Sequence, residues 1–243
     1  MERTTTIRFS HIDDAGIVFY PRYFEILSEL YADLPFATTP FAMQTEFLKS
    51  NVLGDQLDIT YENGPSSGEW TFTGRMGDAK HFLITSLQRG ESELDASAHR
   101  PDHPAFQSDA MPIAPWATDC TGFLQVSRYY EFLNAAVEQW FPRTLATSFK
   151  EFHLGKGYGM PTVVLRTRCG GLPQAGESVK IWIRPTRIGE KSLTYTTWLV
   201  RGDECLLETE QIIVFIKVKD REFQPMQIPD EIRERLQEQY VAA

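Results

Sequence analysis

Two aspartates are the residues of this chain best placed to do chemistry. Asp13 lies in Asp13-Asp14-Ala15-Gly16, and Asp119 lies in Asp119-Cys120-Thr121-Gly122. Seven residues after each glycine comes a tyrosine, Tyr23 in Arg22-Tyr23-Phe24-Glu25 and Tyr129 in Arg128-Tyr129-Tyr130-Glu131. Asp, Gly, Arg, Tyr and Glu all recur at one offset of 106. A loop carboxylate can take a proton from water or attack a carbonyl itself. A glycine beside it lets the backbone come close to a reacting atom, because it has no Cβ. A helix starting just beyond offers N–H groups for a developing negative charge.

The offset is close to half of the 243 residues, so the repeat is that of a duplicated domain. The expected domains are residues 1–105 and 110–243, with Arg100 to Pro115, rich in proline, as the linker. Thr4 to Phe9 predicts a strand and His11 to Gly16 a loop. Pro21 suits the first turn of a helix that runs to about Leu34 and stops at Pro35. Its apolar stripe is Tyr23, Leu27, Leu30, Tyr31 and Leu34, which has helical spacing. Adding 106 gives Tyr129, Leu133, Ala136, Val137 and Trp140, in a second helix expected to stop at Pro142. Strand-like segments follow each helix. They are Met43–Leu48, Gln56–Glu62, Glu69–Arg75, Phe82–Gln88 and Ser92–Ala98, then Thr162–Arg168, Ser178–Pro185, Ser192–Arg201 and Glu204–Val218. Gly54-Asp55 and Gly176-Glu177 read as matching turns, and Arg89-Gly90 and Gly202-Asp203 as matching hairpins. Asn63 to Gly68 reads as a loop inserted in the first half alone, and Asp230 to Tyr240 as a short charged helix. Each half is thus α+β, a long helix laid on an antiparallel sheet.

Composition narrows the function classes. Hydrophobic residues make up 42% of the chain and aromatics 12%, enough for a packed core. No apolar run approaches the ~20 residues of a membrane helix, and Met1 to Phe9 does not read as a signal peptide. Cys120, Cys169 and Cys205 form no CxxC, which predicts neither a zinc site nor a disulfide framework and suits a reducing cytoplasm. The net charge of -9 sits in residues 1–112, with 8 Lys+Arg against 17 Asp+Glu; the remainder balances at 16 each. Without a basic tract, nucleic acid is excluded as a partner. Arg166, Arg168, Lys180, Arg184, Arg187 and Lys191 are either cations for a small anionic ligand or solvated strand-face charges.

Phe9 to Phe24, FSHIDDAGIVFYPRYF, resembles the start of hotdog-fold thioesterases of the 4-hydroxybenzoyl-CoA thioesterase class. Thr118 to Phe132, TDCTGFLQVSRYYEF, is similar, with Gln125, Val126 and Ser127 where the first half has Phe19, Tyr20 and Pro21. The stretch from Ala175 to Ile216 resembles the family's strands, including a Gly-x-x-Ser step at Gly189 to Ser192, where the first half has Gly77-Asp78-Ala79-Lys80. The resemblance implies a tandem, or double, hotdog that supplies within one chain the pseudo-dimer its single-domain relatives form by pairing. It further implies hydrolysis of an acyl-CoA or related thioester, with Asp13 and Asp119 as nucleophiles or bases and Gly16 and Gly122 near the carbonyl. Phe19, Tyr20, Tyr23, Gln125 and Tyr129 would border the substrate. No cofactor or metal is implied, and a dimer of tandem units is expected.

Other roles are open at each position. Loop aspartates commonly close turns. Tyr23 and Tyr129 lie on the core stripe. His11 reads as structural or solvated, and Asp14 as a surface residue. Glu25 and Glu131 stand about 200° around the helix from the tyrosines and read as solvated. Rival functions are an acyl-ACP thioesterase, a hotdog hydratase using His11 with Asp13, and a non-catalytic acyl-CoA binding protein.

Overall fold

The computed structural model describes residues 2–31, 40–64, 68–89, 104–219 and 222–241. The first half contains β1 (Glu2–Thr6), α1 (Pro21–Leu30), β2 (Phe41–Phe47), β3 (Gln56–Asn63), β4 (Trp70–Met76) and β5 (Ala79–Arg89). The second contains β6 (Phe106–Gln107), β7 (Met111–Pro112), α2 (Val126–Thr144), β8 (Tyr158–Gly159), β9 (Thr162–Cys169), β10 (Ser178–Ile188), β11 (Ser192–Arg201) and β12 (Glu204–Val214). After these come β13 (Ile216–Lys219), β14 (Glu222–Pro225) and α3 (Asp230–Val241).

Among the described residues, eleven strands form one sheet in the order β1-β3-β4-β5-β2-β9-β12-β11-β10-β6, with β7 also paired to β10. The order reads the same from both ends. β2 and β9 join the halves, antiparallel from Phe41↔Cys169 to Glu46↔Val164. Alternation along the strands buries one face, with Leu57, Ile59, Phe72, Phe82, Ile84, Leu165, Ile181 and Leu199 all in the core. The helices cover that face. Tyr23, Leu27 and Tyr31 of the first stripe are buried, as are all five predicted stripe residues of the second. Leu34 and Pro35 lie outside the described residues, as does the expected strand Ser92–Ala98.

The duplication extends to individual hydrogen bonds. Asp13 N–H donates to Ile17 O and Asp119 N–H to Phe123 O, both at 2.9 Å. Phe19 N–H donates to His11 O and Gln125 N–H to Ala117 O, both at 3.0 Å. Ile7 N–H meets Asp55 O and Ile113 N–H meets Glu177 O, both at 2.8 Å, so the turns at Gly54 and Gly176 do match.

Several expectations are corrected. α2 does not stop at Pro142 but runs to Thr144. A proline this near the end forfeits one hydrogen bond, and Leu145 N–H still closes onto Phe141 O at 2.9 Å. Four residues of the expected linker belong to the sheet, because β6 and β7 lie along β10 as β1 lies along β3. The counterpart of the Gly202-Asp203 hairpin is Gly77-Asp78, not Arg89-Gly90; Gly77 and Gly202 have φ of 58° and 59°. The connection that follows Asn63 lies between β3 and β4, as Gly189 to Lys191 lies between β10 and β11; residues 65–67 of the expected inserted loop lie outside the described residues. The Gly-x-x-Ser step and Gly77-Asp78-Ala79-Lys80 are therefore different turns. The offset of 106 misleads beyond the helices because α2 has 19 residues to α1's 10 and a π-helical turn, Glu151–Gly155, follows it.

His81, on β5, is fully buried and neither ring nitrogen has a hydrogen-bond partner among the described residues. Burial holds the pKa of His81, His11 and His153 below the ordinary value of 6.5. In the window between each lowered value and 6.5 the unfolded chain binds more protons, so stability is complete above that window and falls as pH drops through it. Asp13, whose carboxyl is raised, acts in the opposite sense nearer the carboxylate range. Thermal unfolding followed from neutral pH downward is expected to show Tm decreasing once pH passes below about 6.5; a Tm unchanged down to about pH 5 would contradict the neutral burial of these rings.

Candidate active site

Asp13 is held by its own loop. Its Oδ1 accepts the N–H groups of Ala15 (2.9 Å) and Ile17 (3.3 Å), while Gly16 N–H returns to the Asp13 carbonyl at 3.0 Å. Gly16 has φ of 79°, a left-handed conformation that explains the glycine. Asp119 repeats the arrangement. Its Oδ1 accepts from Thr121 N–H (2.8 Å), Thr121 hydroxyl (2.6 Å) and Phe123 N–H (3.3 Å), and Gly122 has φ of 84°. As turn formers the two aspartates are alike. Burial raises the Asp13 carboxyl, opposed by the N–H groups of Ile17 and Ala15.

What separates them is a cavity of about 530 Å³, within the range of small-molecule sites. Asp13, Phe19, Tyr20 and Tyr23 line it on one side. The facing wall comes from the second half, through Asn134, Val137 and Glu138 of α2, Phe149 and His153 near the π-helical turn, and Tyr195 and Gln211 of the sheet. Asp119, Gly122, Gln125 and Tyr129 are not among its lining residues. The cations along it are Arg22, Lys49 and Lys150. Arg166 and Arg168 instead pair across strands with Glu210 and Glu208.

The two tyrosines of the repeat are anchored differently. Tyr23 donates its hydroxyl to Asn51 Oδ1 at 3.0 Å and accepts Asn51 N–H at 3.3 Å. Asn51 O in turn accepts Val18 N–H at 2.9 Å, which fixes the end of the Asp13 loop. In the second half Pro173 takes that place, accepting Leu124 N–H at 2.9 Å, and Tyr129 donates to Thr209 Oγ1 at 2.8 Å. Gln125 donates to Thr118 O at 3.0 Å. His11 is buried under Arg8, whose backbone N–H reaches Nδ1 at 3.1 Å.

Glu25 and Glu131, expected to be solvated, form an ion quartet between the helices. Arg22 meets Glu25 at 2.6 Å and Glu131 at 2.7 Å; Arg128 meets Glu131 at 2.7 Å and Glu25 at 3.8 Å. They do point away from the sheet, but α1 and α2 start side by side, so the outer face of each helix looks onto the other. The same proximity stacks Phe24 on Tyr130 with centroids 4.5 Å apart. Sequence reasoning did not single out His153, Glu138, Tyr195 or Gln211, because they face Asp13 from the other half, where no repeat marks them.

No protein-family model and no curated protein matches the chain. Solved structures do match in fold. A 12:0-ACP thioesterase from Umbellularia californica superposes with a TM-score of 0.66 at 10% identity, over 88% of this chain and 93% of that one. An acyl-ACP thioesterase from Bacteroides thetaiotaomicron gives 0.60 at 10% identity, over 88% and 97%. A hypothetical protein from Staphylococcus aureus in complex with CoA gives 0.50 at 14% identity, over 56% of this chain and 84% of that one. The fold is that of the hotdog thioesterases, and the chain is α+β with two hotdog units in tandem.

Replacing Tyr23 by Phe keeps the ring on the cavity and strands the Asn51 side-chain oxygen and N–H in the core. Tyr23→Phe is expected to cost about 1–3 kcal/mol in denaturant unfolding. A change within a few tenths of a kcal/mol would show that the Asn51 bonds do not hold the loop.

Proposed function

We propose that the protein hydrolyses an acyl thioester, the acyl group lying in the cavity between the halves and Asp13 serving as the general base or nucleophile. The support is the convergence on one cavity of a loop carboxylate, aromatic walls and a helix start. Asp13 Oδ1 is taken up by two N–H groups, whereas Oδ2 has no partner among the described residues. As base, that oxygen takes a proton from water while the water oxygen bonds to the thioester carbon. Collapse of the tetrahedral intermediate breaks the C–S bond, and the departing sulfur recovers the proton from Asp13. As nucleophile, Asp13 bonds to the thioester carbon, the C–S bond breaks to release the thiolate, and water then opens the resulting anhydride to the free acid and the Asp13 carboxylate, its second proton going to the thiolate. Pro21 has no N–H, and the Arg22 and Tyr23 N–H groups are turned to Phe19 O and Tyr20 O. Tyr20 N–H, ahead of α1, is the donor we assign to the oxyanion.

The carrier we favour is coenzyme A, with Lys49 and Lys150 beside the cavity for its phosphates. The matched Staphylococcus aureus structure, itself a complex with CoA, is consistent with that choice. A protein-borne thioester is the second reading, since two of the structures that match along 88% of this chain are acyl-ACP thioesterases. We assign the working site to the first half and a scaffolding role to the Asp119 loop, because Asp13 alone of the two lines the cavity.

Free-thiol release over a panel of acyl-CoAs and the matching acyl carrier-protein thioesters tests this. Asp13→Asn is expected to lower kcat/KM by about a hundred- to ten-thousandfold, and Asp119→Asn to leave it within a few-fold. Equal losses would give both halves a catalytic role, and full activity in the double variant would sink the mechanism. The base must be ionised, so the wild-type kcat/KM should rise with pH through a midpoint above the ordinary aspartate value of 3.8. A midpoint at or below that value would remove Asp13 from the role.

A further inference from the structure

A histidine with one uncommitted nitrogen stands on the wall of the Asp13 cavity. His153 belongs to the π-helical turn Glu151–Gly155, is half-buried, and lines the cavity together with Asp13. Its ring packs against Phe149 and Phe152, with centroids 4.5 and 5.3 Å away. Nδ1 meets the Tyr158 carbonyl oxygen at 2.8 Å. A carbonyl only accepts, so Nδ1 carries the proton and the neutral ring keeps its lone pair on Nε2. Nε2 has no hydrogen-bond partner among the described residues. Burial holds the ring below the ordinary 6.5, opposed by the Tyr158 carbonyl and by the charges of Asp14 and Glu138. Asp14 adjoins Asp13, so the aspartate loop of one half lies within electrostatic reach of the π-helical turn of the other. Lys150 is on the same cavity, and Lys217 of β13 lies over the Tyr158 ring at 4.7 Å. At pH 7 the ring is mainly neutral, with an oriented basic nitrogen.

Resting on the thioesterase reading above, we propose that His153 is a second catalytic residue, the base for the water that opens an acyl–Asp13 anhydride. Once Asp13 Oδ2 is bonded to the acyl carbon it no longer accepts a proton, so the attacking water must give one to another group. Nε2 takes that proton as the water oxygen bonds to the acyl carbon. The C–O bond to Asp13 breaks, its carboxylate is restored, and the acid leaves with the other proton of the water. The imidazolium then passes its proton to the thiolate released in the first step, which returns the ring to its neutral form. The nucleophile thus comes from the first half and the base from the second.

The test is a single turnover with enzyme in excess over an acyl-CoA, following thiol release and acid formation separately. Thiol release reports attack by Asp13, and acid formation reports the water step. In the wild type, acid formation is expected to lag behind thiol release once pH falls below the His153 midpoint, itself under 6.5, because a protonated ring is no longer a base. Acid and thiol appearing together at every pH at which the protein stays folded would overturn the proposal, and that comparison needs no variant. His153→Asn keeps an N–H for the Tyr158 carbonyl but has no basic nitrogen. It is expected to release thiol within a few-fold of the wild-type rate and to form acid about a hundredfold more slowly. Imidazole added to His153→Ala is expected to restore acid formation, a rescue that a purely structural role would not give. Slowing of both steps alike in His153→Asn, or of neither, would overturn the assignment. Asp13→Asn separates the two levels of inference, since it is expected to lose thiol release itself. Hydrolysis that needs Asp13 but not His153 would discard the His153 assignment and keep the thioesterase; no hydrolysis of any thioester by the wild type would discard both.

Discussion

The antiparallel pairing of β2 with β9 is the constraint on which the rest of the structure depends. Six consecutive residue pairs, from Phe41↔Cys169 to Glu46↔Val164, turn two small sheets into one. Each half-sheet has an apolar face covered by helix, and an open edge that would otherwise invite pairing with another chain. Closing that edge within the chain brings α1 and α2 side by side over a continuous sheet. The Phe24–Tyr130 stack and the Arg22–Glu25–Arg128–Glu131 quartet are consequences of that approach. The stack is worth about 0.5–1.5 kcal/mol beyond its burial. The quartet, with each side chain about a quarter exposed, adds more to the orientation of the helices than to stability.

A duplicated fold would by itself give two equivalent clefts, but the chain breaks the symmetry. The two aspartate loops share the same backbone hydrogen bonds at the same distances, and they differ in the Thr121 hydroxyl bonded to Asp119 and in what faces them. Asp13 faces the second half, where α2 is nearly twice as long as α1 and a π-helical turn adds Phe149 and His153 to the wall. Asn51 ties the Asp13 loop to Tyr23; Pro173, at the matching place, has no side chain that could do the same for Tyr129. Such differences leave the Asp13 loop, and not the Asp119 loop, on this cavity.

Much of this was legible in the residues alone. Two helices with one buried face each follow from the spacing of Tyr23, Leu27 and Tyr31 and of Tyr129, Leu133, Val137 and Trp140, because helical period is a local property of the chain. The glycines after each aspartate follow from backbone sterics, since a φ near +80° suits little else. The alternating strands and the turns at Gly54 and Gly176 are likewise short-range. The errors came where a local rule met a distant fact. Pro142 lies in the last turn of a helix held by the core, β6 and β7 are strands only because β10 is beside them, and the hairpin at Gly77-Asp78 was hidden by a shift in the repeat.

The sequence by itself determined the duplication, the α+β class and the two carboxylate turns, for these arise from contacts among near neighbours in the chain. Only the tertiary structure decided which carboxylate borders the 530 Å³ cavity and what else lines it. Gln211 stands 198 positions after Asp13 and carries no motif; its place on the same cavity comes from strand register, which shares out residues between core and solvent two by two. Long-range pairing of this kind leaves no local pattern, so the chain must fold before its two halves can line one cavity.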